Sequence, residues 1–305
     1  LNSSFITRRR LTNHSKRFIS TVKGVFIEKK PLLAYWYQGE EGLNWGDALN
    51  PILIRQISGR EVISADKIIN FRNETVYSVI GSILGKYPEK NLVVWGSGFI
   101  SSSDRFSREP KKIYAVRGPL TRDLITKQGI YCPEVYGDPA LLYPFFYRPN
   151  VKKQYKLGII PHYTDKENYL LNKFKDAPDI LIIDILCGVN KVVEDICKCE
   201  LIASSSLHGI IASDAYGVPS IWIEFSDRVV GNGFKFFDYF ESVNRYNEKP
   251  LNITEKTTLK DIYNRFHDYK INIDLKKLID SCPFLEKTQE KLGFEISIDL
   301  GREYE

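Results

Sequence analysis

The 305-residue chain contains no methionine, only four histidines and only five cysteines. Without Met, the sequence is expected to lack its initiator and to have had residues upstream of Leu1. Five irregularly spaced cysteines are too few for a disulfide framework in a chain this long. Cys197 and Cys199 are one residue apart, and no second Cys or His pair sits at zinc spacing, so no metal site is assigned. The five read as buried or idle thiols of a reducing, cytosolic compartment. No run approaches the ~20 apolar residues of a membrane-spanning helix. The longest, Ile180 to Val189, is broken by Asp184 and reads as a buried strand. A secretory h-region is absent as well. Gly96-Ser97-Gly98 follows an apolar strand, but Ser101 stands where a dinucleotide fingerprint needs its third glycine. That excludes an NAD or FAD site; the glycines let the backbone approach another ligand or make a turn.

What is present is an ordinary globular composition with segregated charge. The formal net charge is +5. Residues 1–30 carry Arg8, Arg9, Arg10, Lys16, Arg17, Lys23, Lys29 and Lys30 against Glu28, a net +7, and the rest of the chain is −2. This excludes a basic nucleic-acid-binding body. Leu11, Phe18 and Val22 lie seven and four residues apart in the arm, the spacing of a basic amphipathic helix that can lie on an anionic membrane surface. A solvated helix or a tail is the alternative.

From residue 31, short apolar strands alternate with helical patterns in two stretches. The Pro-rich segment 137–150 separates them, placing a boundary between residues 149 and 150. Alternation in both halves predicts α/β architecture: two Rossmann-like doubly wound domains, 31–149 and 150–305, the second ending in charged helices. Asn50 is expected to cap the first helix with Pro51 at its first position and Gly59 at its end. In such sheets ligands lie beyond the carboxyl ends of strands, so the cleft between the domains is the expected site.

Several candidate residues fall there. Ser204, Ser205, Ser206 and Leu207 open a helix, whose unpaired N–H groups suit an anion. His208, in its first turn, can act as acid or base near neutral pH. A capping Ser followed by a core His is the competing reading. Arg117 ends a strand in Arg117-Gly118-Pro119 and presents a fork suited to carboxylate or phosphate, or it pairs with an acid in the core. Asn44 and Asp47 flank Trp45-Gly46 beyond the first strand, placed to bond hydroxyls while Trp45 stacks on a sugar; Asp47 alternatively caps a turn. Ser97 and Gly98, Asp138 in Gly137-Asp138-Pro139, and His162 in Pro161-His162-Tyr163 complete the set. Asp138 serves equally as a turn residue.

In order along the chain, Gly46-Asp47-Ala48-Leu49-Asn50, Trp95-Gly96-Ser97-Gly98, Val116-Arg117-Gly118-Pro119-Leu120-Thr121, Gly137-Asp138-Pro139-Ala140, Ile160-Pro161-His162-Tyr163, Ser205-Ser206-Leu207-His208-Gly209 and Ala215-Tyr216-Gly217-Val218-Pro219 resemble the polysaccharide pyruvyl transferase family over about residues 32–245. The resemblance implies a GT-B-like fold and transfer of a pyruvyl group from phosphoenolpyruvate to two hydroxyls of one sugar, giving a cyclic ketal in capsule or exopolysaccharide synthesis. It implies functional roles for His208 and Arg117, which residue chemistry casts as acid/base and orienting cation; Asn44, Gly46, Asp47, Ser97, Gly98, Asp138, His162, Ser205, Ser206 and Leu207 are the expected substrate-binding residues. No cofactor is expected beyond phosphoenolpyruvate as donor. The expected acceptor is an oligosaccharide or lipid-linked glycan, handled in the cytoplasm or at the inner face of the membrane. The competing functions are a GT-B glycosyltransferase using a nucleotide sugar, with Glu224 as its ribose-binding acid, and a non-catalytic carbohydrate-binding protein.

Overall fold

The structure, a computed structural model, describes residues 30–39, 44–67, 74–86 and 91–285. The amphipathic-helix expectation for the basic arm lies outside the described residues. Among the described residues, the strands and helices belong to a compact unit that begins at Leu32.

Two five-stranded parallel sheets carry the fold. The first contains β1 (Leu32–Tyr35), β2 (Val62–Ser64), β3 (Val76–Ser78), β4 (Leu92–Trp95) and β5 (Lys112–Ala115), in the order β2-β1-β3-β4-β5. The second contains β6 (Tyr155–Ile160), β7 (Ile180–Ile182), β8 (Cys199–Ser204), β9 (Ser220–Glu224) and β10 (Leu251–Asn252), in the order β10-β9-β8-β6-β7. Read from their first strands, both sheets have the order 2-1-3-4-5, although the sequence shows no internal repeat. The fold is therefore α/β. Parallel strands covered on both faces are apolar throughout, and all four residues of β4 are buried. Strands β2 and β3 are three residues each, too short for an apolar period to register in the sequence.

The principal helices are α1 (Trp45–Ser58), α2 (Pro119–Thr126), α3 (Val189–Cys197), α4 (Leu207–Ala215) and α5 (Phe234–Ser242). Helix α1 starts six residues before the expected Pro51. Asn44 is its cap, accepting from Gly46 N and Asp47 N, while Gly59 ends it in the left-handed conformation as expected. Pro51 sits inside the helix. Buried Asn50 spans to the first sheet instead, donating to Ile80 O at 3.1 Å and accepting from Ile80 N at 3.0 Å.

The halves are tied by polar contacts over a shared core. Trp45 Nε1 donates to Val189 O at 3.1 Å, and Tyr143 and Tyr147 bond Asn190 and Glu194 on α3. Trp45 is fully buried, so it is a core residue and not the exposed sugar-stacking platform its position suggests. Beyond Arg245, where charge patterning predicts helices, the described chain has β10 and two short helices, Leu259–Tyr263 and Leu275–Asp280. Much of that segment is held by side chains elsewhere: Trp95 Nε1 donates to Leu278 O at 3.0 Å, and Phe284 packs edge-on against Trp95 and Tyr77. All five cysteines are free thiols; Cys132, Cys199 and Cys282 are buried, Cys197 is half-buried and Cys187 is exposed. Among the described residues no helix is long and apolar enough to cross a membrane.

Candidate active site

Strand order reverses at β1/β3 in one sheet and at β6/β8 in the other. Loops leave such a point in opposite directions and open a crevice at the carboxyl ends. Here both crevices contribute to one cavity of about 350 Å³. Tyr37, Asn44 and Asp47 reach it from beyond β1, Ser82 and Lys86 from beyond β3, His162 from beyond β6, Ser206, Leu207 and His208 from beyond β8, and Lys235 from α5.

His208 is the best-defined chemical group in it. Its Nδ1 lies 2.9 Å from Asn44 Oδ1, and its Nε2 is out of solvent with no hydrogen-bond partner. Burial, and then the positive charges of Lys235 and Arg117, push its pKa down to about 3. The imidazole is therefore neutral at physiological pH. Gly46 makes this possible: a Cβ there would sit 2.2 Å from His208 Cε1. Gly46→Ala is expected to displace the ring and lower kcat about 10²-fold, the scale of an ~1 Å misplacement; steady-state kinetics checks this.

Asp47 is 3% exposed. Its Oδ2 accepts from the Asn44 amide. Burial raises its pKa to about 7, against lowering by Tyr37 N–H, Lys86 and the Asn44 bond. Lys235 is 8% exposed, and burial, then Arg117 and Lys86, lower its pKa to about 8. The sequence reading missed Lys235; its signal is the Gly231-Asn232-Gly233 turn before it, all three residues at positive φ.

Arg117 stands behind the cavity wall. It is fully buried, with Nε and Nη2 each 2.9 Å from Asp238 Oδ2, Nη2 2.6 Å from Phe99 O, and Nη1 bonded to Ser82 Oγ. Thr121 N and Oγ1 bond the same aspartate at 2.8 and 2.7 Å. A Cβ on Gly118 would lie 1.8 Å from Asp238 O. The Arg-Gly-Pro-Leu-Thr motif is thus a socket for Asp238 of α5, and α5 carries Lys235. The core-pairing alternative is the arrangement observed for Arg117.

Other expected residues divide the same way. Ser97 is buried and accepts from Ser78 Oγ at 2.9 Å; a Cβ on Gly98 would strike Arg117 Cζ at 2.5 Å. Neither lines the cavity. Asp138 is also outside the lining: it caps the 3-10 helix Pro139–Phe145 through Ala140 N, burial raises its pKa to about 7, and its Oδ2 is unpartnered. Of Ser204, Ser205 and Ser206, only Ser206 reaches the wall. Ser204 Oγ bonds Ile160 O and Ser206 O, and Ser205 Oγ accepts from His162 N at 2.7 Å. His162, Asn44, Asp47, Leu207 and His208 are brought together as expected, and Gly46 lies under His208.

The family model for polysaccharide pyruvyl transferases matches residues 66–227. The succinoglycan biosynthesis protein ExoV of Rhizobium meliloti is 31% identical over 220 residues, 68% of this chain and 64% of ExoV. The chain belongs to the polysaccharide pyruvyl transferase family. An uncharacterized protein, L143, of Acanthamoeba polyphaga mimivirus is 29% identical over 273 residues, covering 84% of this chain and 88% of the viral protein. Within this polysaccharide pyruvyl transferase family member the matched span contains β3 to β9, and so holds His162, Ser206 and His208. Asn44, Gly46 and Asp47 lie before it and Lys235 after it.

Proposed function

We propose that the protein moves the pyruvyl group of phosphoenolpyruvate onto two hydroxyls of one sugar, forming a cyclic ketal in exopolysaccharide or capsule synthesis. The observation that carries this reading is one cavity holding an unpartnered neutral imidazole, a buried carboxyl with a raised pKa and two lysines. A phosphate and a carboxylate on one small donor match that cationic wall. Membership of the family, and the succinoglycan role in the name of ExoV, support a saccharide acceptor.

In the first step the acceptor hydroxyl bonds to C2 of the enol while its proton passes to His208 Nε2. The π electrons take a proton at C3 from the protonated carboxyl of Asp47. In the second step another hydroxyl of the same sugar bonds to C2, the C2–O bond to phosphate breaks, and that hydroxyl's proton leaves with the phosphate; His208 then passes the proton it took to the Asp47 carboxylate, restoring both groups. Lys235 and Lys86 bind the donor's anionic groups. Arg117 acts through position, holding α5 and Ser82. The scheme uses no redox cofactor or divalent metal. We read the two sheets as GT-B-like domains. The acceptor is an oligosaccharide or a lipid-linked glycan, and the +7 arm holds the enzyme to the anionic inner face of the membrane.

Charge on Lys235 is present below its pKa of about 8 and lost above it. Asp47 likewise keeps its proton only below about 7. Activity and phosphoenolpyruvate affinity are therefore expected to fall as pH rises from 7 to 9. Lys235→Met should weaken donor binding and remove its component near pH 8, read by calorimetric titration across pH.

The function is tested by incubating the protein with phosphoenolpyruvate and candidate glycans. Phosphate release with a ketal-sized mass gain is expected. Thermal stabilisation by nucleotide sugars but not by phosphoenolpyruvate would overturn the reading in favour of a glycosyltransferase, since a true donor stabilises the fold by mass action. Glu224, the acid that alternative needs, does not line the cavity.

A further inference from the structure

Both histidines of the cavity are wired into helix starts, in opposite senses. Asn44 Oδ1 accepts from Gly46 N at 3.0 Å and Asp47 N at 3.3 Å as the cap of α1. Backbone N–H groups only donate, so the atom facing them is the amide oxygen, and Asn44 Nδ2 is turned to Asp47 Oδ2. The oxygen that meets His208 Nδ1 can only accept. His208 therefore carries its hydrogen on Nδ1 and a bare lone pair on Nε2.

His162 is the mirror case. It caps the 3-10 turn Tyr163–Asp165, and its Nδ1 accepts from Thr164 N at 3.3 Å, with Thr164 Oγ1 at 2.8 Å. Its main-chain N–H is fixed to Ser205 Oγ. Burial and Lys235 keep this ring neutral too, with a pKa of about 3. A neutral imidazole whose Nδ1 accepts must hold its hydrogen on Nε2.

We propose that the helix caps lock the two cavity histidines into opposite neutral tautomers, so that the site presents one fixed base, His208 Nε2, and one fixed donor, His162 Nε2–H. Asn44 is then a positioning residue that sets the base through His208, in place of the hydroxyl-binding role its sequence position suggests. His162 supplies an uncharged hydrogen bond to an oxygen of the anionic donor. This division of roles rests on the pyruvyl-transfer reading; the tautomers themselves do not. The lock leaves neither ring free to exchange roles during turnover. It makes His208 a base from the outset, with no need to shed a proton first.

Nitrogen-15 NMR of the imidazole rings tests the tautomers directly in ligand-free protein. The chain has four histidines, and His208→Gln and His162→Gln variants assign the two signals. At pH 7, His208 is expected as the Nδ1–H form and His162 as the Nε2–H form. Either ring found charged or in the other form overturns the proposal.

Asn44→Asp tests the lock, because Asp caps a helix as well as Asn. A carboxylate beside Nδ1 favours the charged ring. His208 also feels Lys235 from α5, Arg117 before α2 and His162 beyond β6, and Asp47 from α1 and Lys86 stand in the same wall. Asp at position 44 also loses the donation to Asp47, whose carboxyl then holds its proton more firmly; with the new negative charge beside Nδ1, the NMR titration of His208 should move up by at least one pH unit. No movement would overturn the role assigned to Asn44.

The donor role of His162 is read from phosphoenolpyruvate binding. Gln extends an N–H to where Nε2–H stood, whereas Asn keeps only the Nδ1-like acceptor that caps the turn. His162→Gln is expected to bind within about threefold of the parent and His162→Asn about tenfold more weakly. A merely structural role predicts the reverse order and would overturn the donor assignment. If the parent shows both tautomers but does not bind phosphoenolpyruvate, the tautomer lock stands, and the proposed donor and the His162 contact to it fall together.

Discussion

His208→Ala is expected to lower kcat by about 10² to 10⁴, the usual worth of a positioned acid/base. The reasons are on the ring itself. Its Nε2 lone pair is unpartnered and dry, and burial keeps it unprotonated down to a pH of about 3. Among the described residues of the cavity wall, no other neutral nitrogen offers a lone pair at pH 7 if His162 holds its hydrogen on Nε2. The loss should fall on kcat more than on donor affinity, because Lys235 and Lys86 remain in the wall. Phosphate-release kinetics with a competent acceptor, alongside phosphoenolpyruvate titration, separates the two. Unchanged kcat would exclude His208 as the base.

Asp238→Ala is expected to cost about 3–5 kcal/mol of folding stability, the range for breaking a buried ion pair by removing one partner. The side chains of Arg117 and Asp238 are 1% and 0% exposed. Losing the carboxylate leaves the guanidinium charged in the interior, and it also strips partners from Thr121 N and Oγ1. Against a usual total of about 5–15 kcal/mol, this is a large fraction. Chemical denaturation measures it. Pairing Arg117→Met with Asp238→Leu should recover part of the stability, because no unpaired charge remains. It should not recover donor affinity, since Lys235 rides on the helix that the clasp positions.

The strands with long apolar runs were legible from the sequence. Leu92–Trp95 and the core of Tyr155–Ile160 stand out because strands covered on both faces must be apolar at nearly every position. The signals at Gly59 and Ser206 were legible as helix punctuation because capping chemistry is local. The start of α1 was not. Pro51 is a strong local signal for a first helical position, and only the contact of Asn50 with Ile80 reveals that the helix already passes through it. Lys235 and Asp238 were invisible for a similar reason. They are isolated charged residues in the aromatic stretch Phe234–Ser242 until α5 is docked against α2.

The sequence by itself determined the α/β alternation, the segregation of a +7 arm from a −2 body, and the motifs that carry the family resemblance. It also put His162, His208, Asn44 and Asp47 on one list, because each falls beyond a strand or at a helix start. Tertiary structure alone decided what each motif residue does. Motif spacing records which residues are near one another in the chain, whereas charge state and tautomer depend on partners far away in it. Asn44 and His208 are 164 residues apart, and Arg117 and Asp238 are 121 apart. Only the folded chain brings an amide oxygen to the His208 ring and a carboxylate to the Arg117 guanidinium, leaving the first a base and the second a buried strut.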